Sequence, residues 1–179
     1  MVLKSPNSKM LPDQSHHSLT FRKMPIKHLR CGPFVTPTKN GICYPFIITE
    51  IRRYTENFHQ YFFNLPPDND YIKWTVGKAM YMADGTALKQ KQALDENGFY
   101  SDIISSSAVC TIICDSIQFD EHTRRFNYFG TQIIKRRTRD LKRSMLTTGS
   151  VENVPRTQNN PHGLMITNWR TLENKDLDY

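Results

Sequence analysis

The stretch YPFIITEIRRYTENFHQYFF, residues 44–63, decides how the rest of the chain has to be arranged. Ile47, Ile51, Tyr54, Phe58 and Tyr61 or Phe62 recur at steps of three and four, which is one face of a helix. Glu50, Arg52, Arg53, Glu56, Asn57 and Gln60 fall mostly on the other side. Pro45 stands at the start, where a missing N–H costs nothing. Asn64, Pro66 and Pro67 end the pattern, because proline cannot continue a helix. So many aromatic rings on one helix make a large apolar surface that something must cover. The expectation is a helix laid across a sheet as ordinary core.

Outward from this helix the sequence alternates between patterned and unpatterned stretches. Upstream, residues 1–20 are polar, with Pro6 and Pro12, and read as part of a mobile basic arm over residues 1–25. Residues 26–31 alternate weakly, as a short strand would, and Lys39-Asn40-Gly41 is a turn signal. Downstream, LPPDND (65–70) is a loop. YIKWTVGKAMYMA (71–83) fits strand and helix alike. ALKQKQAL is a weak helix between the turns Asp84-Gly85 and Asn97-Gly98. Val109 to Phe119 is the best strand, expected to be buried on both faces in its first half. DEHTRR (120–125) is a hairpin turn and FNYFGTQIIKRR (126–137) the returning strand. Residues 147–161 read as a loop, and GLMITNWRTL (163–172) as an apolar cluster that docks back on the body. The expected class is α+β: an antiparallel sheet with packed helices and a mobile basic N-terminal arm. The expected organisation is an arm at 1–25, a compact domain at 26–146, and a loop with a docking segment at 147–179.

The chain has 179 residues, enough for one domain with a real core, and a hydrophobic share of 38% leaves part of it outside that core. No apolar run approaches the roughly 18 residues of a membrane span. The first residues lack the apolar region of a secretory signal, which points to the cytosol. Cys31, Cys43, Cys110 and Cys114 form no CxxC pair and read as free thiols.

No catalytic set stands out. His16, His17, His28, His59, His122 and His162 form no paired metal-ligand spacing. Cys110 and Cys114 share one face of a strand, a spacing better suited to packing than to a metal. A pair such as Cys43 with His59 depends on proximity that spacing does not show. Asp68 and Asp70 are read as a polar loop rather than a cation site. No glycine-rich phosphate cradle occurs. The expectation is a non-enzyme with no cofactor and no metal.

Charge carries more information. The net charge of +7 is unevenly placed. Residues 1–40 hold seven Lys/Arg and one acid, Asp13, while residues 134–145 hold six against Asp140. The sharper patch is KRRTRDLKR: Lys135, Arg136, Arg137, Arg139, Lys142 and Arg143. Such a run can neutralise several phosphates, on RNA or on lipid. The upstream set, Lys4, Lys9, Arg22, Lys23, Lys27 and Arg30, is more dilute and interleaved with apolar residues. That mixture suits an anionic membrane surface or a contact that folds on binding.

The order of these features resembles the matrix proteins of rhabdoviruses, in particular the short ones of plant-infecting, cytorhabdovirus-like members. YPFIITEIRRYTENFHQYFF looks like that family's aromatic first helix, and DYIKWTVGKAMYM like the basic-apolar segment after it. SSAVCTIICDSIQFDE resembles its long central strand, and FNYFGTQIIKRR the strand that follows. The resemblance covers roughly residues 26–140 and is one of order and character. It implies a structural protein of an enveloped virion, lying beneath the envelope and on host cytoplasmic membranes. Its partners would be itself, the viral nucleocapsid, an anionic membrane surface, a glycoprotein cytoplasmic tail and RNA. Pro66-Pro67-Asp68-Asn69 is no PPxY late-domain motif, so budding by that route is not supported. The alternative reading is a viral RNA-binding accessory protein, a silencing suppressor or movement protein, with Tyr128 and Phe129 beside the basic patch.

Overall fold

The computed structural model describes the backbone of residues 44–177, with side chains from residue 47. The arm expected at 1–25, the short strand at 26–31 and the turn at 39–41 lie outside the described residues. Four helices come first: α1 (Tyr44–Phe63), α2 (Asn69–Met80), α3 (Gly85–Glu96) and α4 (Phe99–Ser105). Four strands follow: β1 (Val109–Asp120), β2 (Arg125–Lys135), β3 (Leu141–Asn153) and β4 (Leu164–Asp176). All neighbours are antiparallel and the sheet order is β1-β2-β3-β4. The expected α+β class is the observed one.

α1 is covered as its stripe requires. Ile51, Tyr54, Phe58 and Phe62 are buried, and so are Thr55, His59 and Phe63 beside them. They pack against Ile112 of β1, Phe126 and Tyr128 of β2, Met145 and Val151 of β3, and Ile166 and Trp169 of β4. One helix thus meets side chains from every strand. A second cluster joins Ile72 and Val76 of α2 to Tyr100 and Ile103 of α4, Cys110 of β1 and Ile134 of β2.

The strand-or-helix ambiguity at 71–83 resolves to helix for a local reason. The Asp68 carboxylate accepts the N–H groups of Asp70 and Tyr71, each at 2.9 Å, and caps α2. The ends of this helix are pinned to opposite sheet edges. Before it, Leu65 pairs with Cys110 on β1, and the Asn64 side chain accepts the Ile112 N–H at 2.7 Å. After it, Ala83 pairs in parallel with Ile166 on β4. Four strands are about 14 Å across, and 12 helical residues run about 18 Å. α2 is therefore long enough to bridge from one edge to the other, and its flanking residues shield part of each edge. Asp84 completes the second clamp. Its side chain accepts from the Thr86 N–H at 2.9 Å and the Asn168 N–H at 3.1 Å, and the Thr86 hydroxyl accepts the Trp169 N–H at 2.9 Å.

Several expectations are corrected. Residues Phe99–Ser105, given no element in the sequence reading, are a helix. β1 is buried on one face only: Cys110 and Ile112 point inward, while Val109 and Ile113 are exposed. A register shift between Cys114 and Ser116 changes the alternation, so that Ile117 and Phe119 lie on the core side. Residues 147–153, expected as loop, are the second half of β3. The docking segment at 163–172 is, from Leu164 onward, part of the edge strand β4. Two glycines explain part of this. Phe126 stands opposite Gly149 and its ring lies where a Gly149 side chain would be. At Gly130 a Cβ would stand 2.7 Å from Tyr128 Cε1 and 2.8 Å from the Ile113 carbonyl oxygen.

Gly130→Ala is a test of that packing. In an open strand alanine would gain about 0.5–1 kcal/mol over glycine. Here Tyr128 is fully buried and the second neighbour is backbone, so neither yields cheaply. Overpacking of this kind costs about 1–3 kcal/mol and outweighs the gain. Urea unfolding should show Gly130→Ala less stable than the parent. A neutral or stabilised variant would mean that β1 and β2 separate easily at this point.

Candidate functional site

The basic patch foreseen in the sequence lies at the β2–β3 turn. Lys135, Arg136, Arg137 and Arg139 are exposed on it, and Asp140 stands among them. Lys142 and Arg143 are half-buried at the start of β3. Arg143 is committed elsewhere, because its Nε donates to the Asp176 carboxylate of β4 at 2.6 Å. Six cations adjacent in sequence thus become four on the turn and two beside it. The turn borders a shallow hollow of about 490 Å³ that also holds Asp176 and Leu177. The secondary set, Lys4, Lys9, Arg22, Lys23, Lys27 and Arg30, lies outside the described residues.

Among the described residues the thiols and histidines do not converge on chemistry. Burial pushes the Cys110 thiol up to about 11, against the pull of the Arg136 and Arg143 charges. A thiol held that high is not a nucleophile at neutral pH. Cys43 lies outside the described residues, so its pairing with His59 has no description here. His59 is buried, and both its ring nitrogens are engaged. No group of metal-ligating side chains occurs among the described residues. Asp68 and Asp84 serve as helix caps. At Asp84, burial pushes the carboxyl up, but the bonds from Thr86 and Asn168 outweigh it and hold the group below its ordinary value.

A second site was not foreseen. The turn between β3 and β4 folds beside α1 and α2 and leaves an open groove of about 560 Å³. The turn is built locally. Thr157 and Asn160 exchange backbone bonds at 3.1 and 3.2 Å, and the Asn160 side chain donates to the Leu164 carbonyl at 2.6 Å. Gly163 has φ +67°, and a Cβ there would meet Arg156 Cγ at 2.8 Å. α1 holds the turn from the other side. The Tyr54 hydroxyl donates to the Leu164 carbonyl at 2.5 Å, and the Met82 carbonyl stands 3.1 Å from the same oxygen. One His162 ring nitrogen lies 2.6 Å from Glu50. Trp74, Lys73 and Lys78 of α2 form the facing wall, with Lys78 Nζ 3.9 Å above the Trp74 ring. Two features of the sequence mark this place: the turn-forming run Asn160-Pro161-His162-Gly163 and a tryptophan on the polar side of a helix.

No protein-family model matches the chain, and no curated protein matches it. Solved structures do share its fold. The soluble domain of TrwG, from the type IV secretion machinery of Bartonella grahamii, matches with a TM-score of 0.58 at 16% identity, covering 74% of this chain and 97% of that one. VirB8 of Agrobacterium tumefaciens matches with a TM-score of 0.60 at 10% identity, covering 73% and 94%. CagV of Helicobacter pylori, a VirB8 homologue of a type IV secretion system, matches with a TM-score of 0.54 at 16% identity, covering 73% and 99%. These neighbours overturn the resemblance to rhabdovirus matrix proteins, and with it the virion role, the RNA-binding alternative and the location beneath an envelope. The partners drawn from it fall as well: a nucleocapsid, a glycoprotein tail, RNA, a lipid leaflet and the self-assembly of a matrix layer. The physical reason is that an aromatic helix followed by a basic-ended hairpin is an order that many folds satisfy. At these identities, what the chain shares with the secretion proteins is the fold.

Proposed function

We propose that this chain is a structural, non-enzymatic component of a type IV secretion machinery, working through contacts with other proteins. The observation that supports the reading is the extent of the likeness. All four helices and all four strands are contained in 134 described residues, and the match takes in 94% of VirB8 and 97% of the TrwG domain. The site chemistry agrees with it. The groove is lined by rings, amides, two lysines and His162, with no carboxylate, hydroxyl of Ser or Thr, or thiol among the lining residues. The test is genetic. Deleting the gene in a strain that carries such a machinery should abolish transfer of its cargo, and a plasmid copy should restore it. Unchanged transfer after deletion would end this reading.

Within that role the basic turn is a surface for a polyanion or an acidic protein. Lys135, Arg136, Arg137 and Arg139 carry the contact, because they are the cations left exposed. Replacing Arg136, Arg137 and Arg139 together by glutamine should move elution from heparin to clearly lower salt, since each lost contact reduces the salt dependence. If the triple variant elutes with the parent, the turn makes no such contact.

A further inference from the structure

α2 turns large rings to water on its outer face. Trp74 is 53% exposed, Tyr81 55% and Tyr71 45%, and Trp74 and Tyr81 line the groove. Burying a side chain of this size is worth about 1.5–3 kcal/mol. The fold leaves that stabilisation unused here, although α2 buries Ile72, Val76 and Ala79 on its other side. Exposed tryptophan and tyrosine beside a concavity are the composition of contact centres between proteins.

The charge of the groove selects among occupants. Lys73 and Lys78 line it, and no Asp or Glu does. Neither lysine forms an ion pair among the described residues. The nearby acids are accounted for: Glu50 faces His162 at 2.6 Å, and Asp68 caps α2. Asp70, one turn before Trp74, makes no ion pair. Gln158 and Asn159 also line the groove, and side-chain amides can both donate to and accept from a peptide backbone. A nucleic acid fits less well. Two lysines without an arginine neutralise about two phosphates, whereas single-strand grooves track a longer run of backbone.

We infer that this groove docks an extended acidic segment of another protein, with an apolar side chain seated against Trp74 and Tyr81 and its carboxylates on Lys73 and Lys78. The volume of about 560 Å³ is that of a real binding cleft, in the range of about 300–1,000 Å³. The inference does not depend on the secretion reading, and each can fail while the other stands.

The chain supplies its own reporter. Of its two tryptophans, Trp74 is exposed and Trp169 is buried at 2%. Random short peptides displayed on phage would be selected on the full chain, with the double variant Lys73→Glu/Lys78→Glu as the counter-selection. The best peptides would be synthesised and titrated by tryptophan fluorescence. The expected result is enrichment of Asp and Glu next to apolar residues, and a change in Trp74 emission on binding. Affinity, read for every variant by the anisotropy of a dye-labelled copy of the peptide since Trp74→Ala removes the intrinsic reporter, should fall at least tenfold in the double variant and in Trp74→Ala, with far-UV circular dichroism unchanged, because these side chains are at the surface. Peptides without acidic enrichment, or equal binding to the variants, would overturn it. Tighter binding of oligothymidine at the same tryptophan would assign the groove to nucleic acid instead. A dimer lost in Trp74→Ala during sedimentation would assign it to a second copy of this chain.

Discussion

Phe58→Ala should cost the domain about 3–5 kcal/mol, the range for deleting a fully buried phenylalanine. Phe58 is completely buried at the middle of α1. Its ring meets Trp169 edge-on at 5.0 Å, His59 at 5.2 Å and Phe62 at 5.9 Å. Those partners come from α1 itself and from the edge strand β4, so the cavity would open where the helix holds that edge. The backbone there cannot close the gap easily. β4 is fixed by its bonds to β3 and by the pairing of Ile166 with residues 82–84. Domains of this size hold only about 5–15 kcal/mol in total, and each kcal/mol moves the midpoint by roughly 3 °C. The expected loss in Tm is about 10 °C, read by circular dichroism. Leu88→Ala is the control, because Leu88 is 46% exposed on α3 and its truncation should cost less than about 0.5 kcal/mol. Equal effects of the two substitutions would show that α1 is not the element the sheet is built on.

The aromatic stripe of α1 was legible because helix period and burial agree at Ile51, Tyr54, Phe58 and Phe62. The hairpin from β1 to β2 was legible because β-branched and aromatic residues flank a polar turn. β3 was not. Thr147, Thr148 and Gly149 look like loop composition, yet all three are buried, because rings from β2 and α1 supply the apolar volume they lack. Local composition cannot show what a neighbouring strand brings. The burial of both faces of β1 was overread for a related reason. Val109 and Ile113 are apolar but exposed, on the side of an edge strand that faces away from the helices.

The candidate sites divide in the same way. A run of charge is visible in sequence, and the exposed turn at 135–139 is where it fell. The sequence did not show that Arg143 is held by Asp176, which lies 33 residues further on. The groove was hidden because its walls come from three separated stretches: Tyr54 to Tyr61, Lys73 to Met82, and Gln158 to His162. Each stretch has an ordinary local reading as stripe, helix or polar loop. Only the crossing of α2 from one sheet edge to the other brings Trp74 opposite the turn. The rhabdovirus likeness failed at this same level, since it compared the order of elements and not their arrangement in space.

Acidification should weaken the fold through His59 before the carboxylates begin to titrate. The ring is fully buried and stacks on Tyr128 at 3.7 Å, with an interplanar angle of 2°. Phe58, Phe63, Phe126 and Trp169 surround it, and among the described residues its ring nitrogens bond to Thr55 and Thr147 rather than to a carboxylate. Nδ1 lies 2.7 Å from the Thr55 carbonyl and Nε2 2.7 Å from the Thr147 hydroxyl. The neutral imidazole satisfies both, with Nδ1–H donating to the carbonyl and Nε2 accepting from the hydroxyl. Burial pushes its pKa down to about 3, against the opposing pull of the Thr55 bond. The unfolded chain, with an ordinary histidine near 6.5, therefore binds the proton first. Stability is whole above pH 6.5 and declines as pH falls toward 3, by about 1.4 kcal/mol per unit. At pH 5 the loss is about 2 kcal/mol, a large part of a marginal fold. His59→Gln should be less stable than the parent at pH 7.5, because glutamine fits the ring's place poorly. Its unfolding free energy should nevertheless stay level between pH 6.5 and 5, where the parent's declines. Urea titrations at four pH values across that interval decide it. A parent curve without slope, or a variant that keeps the parent's slope, would show that the proton is taken up elsewhere and that the His59 pocket opens to water before the domain unfolds.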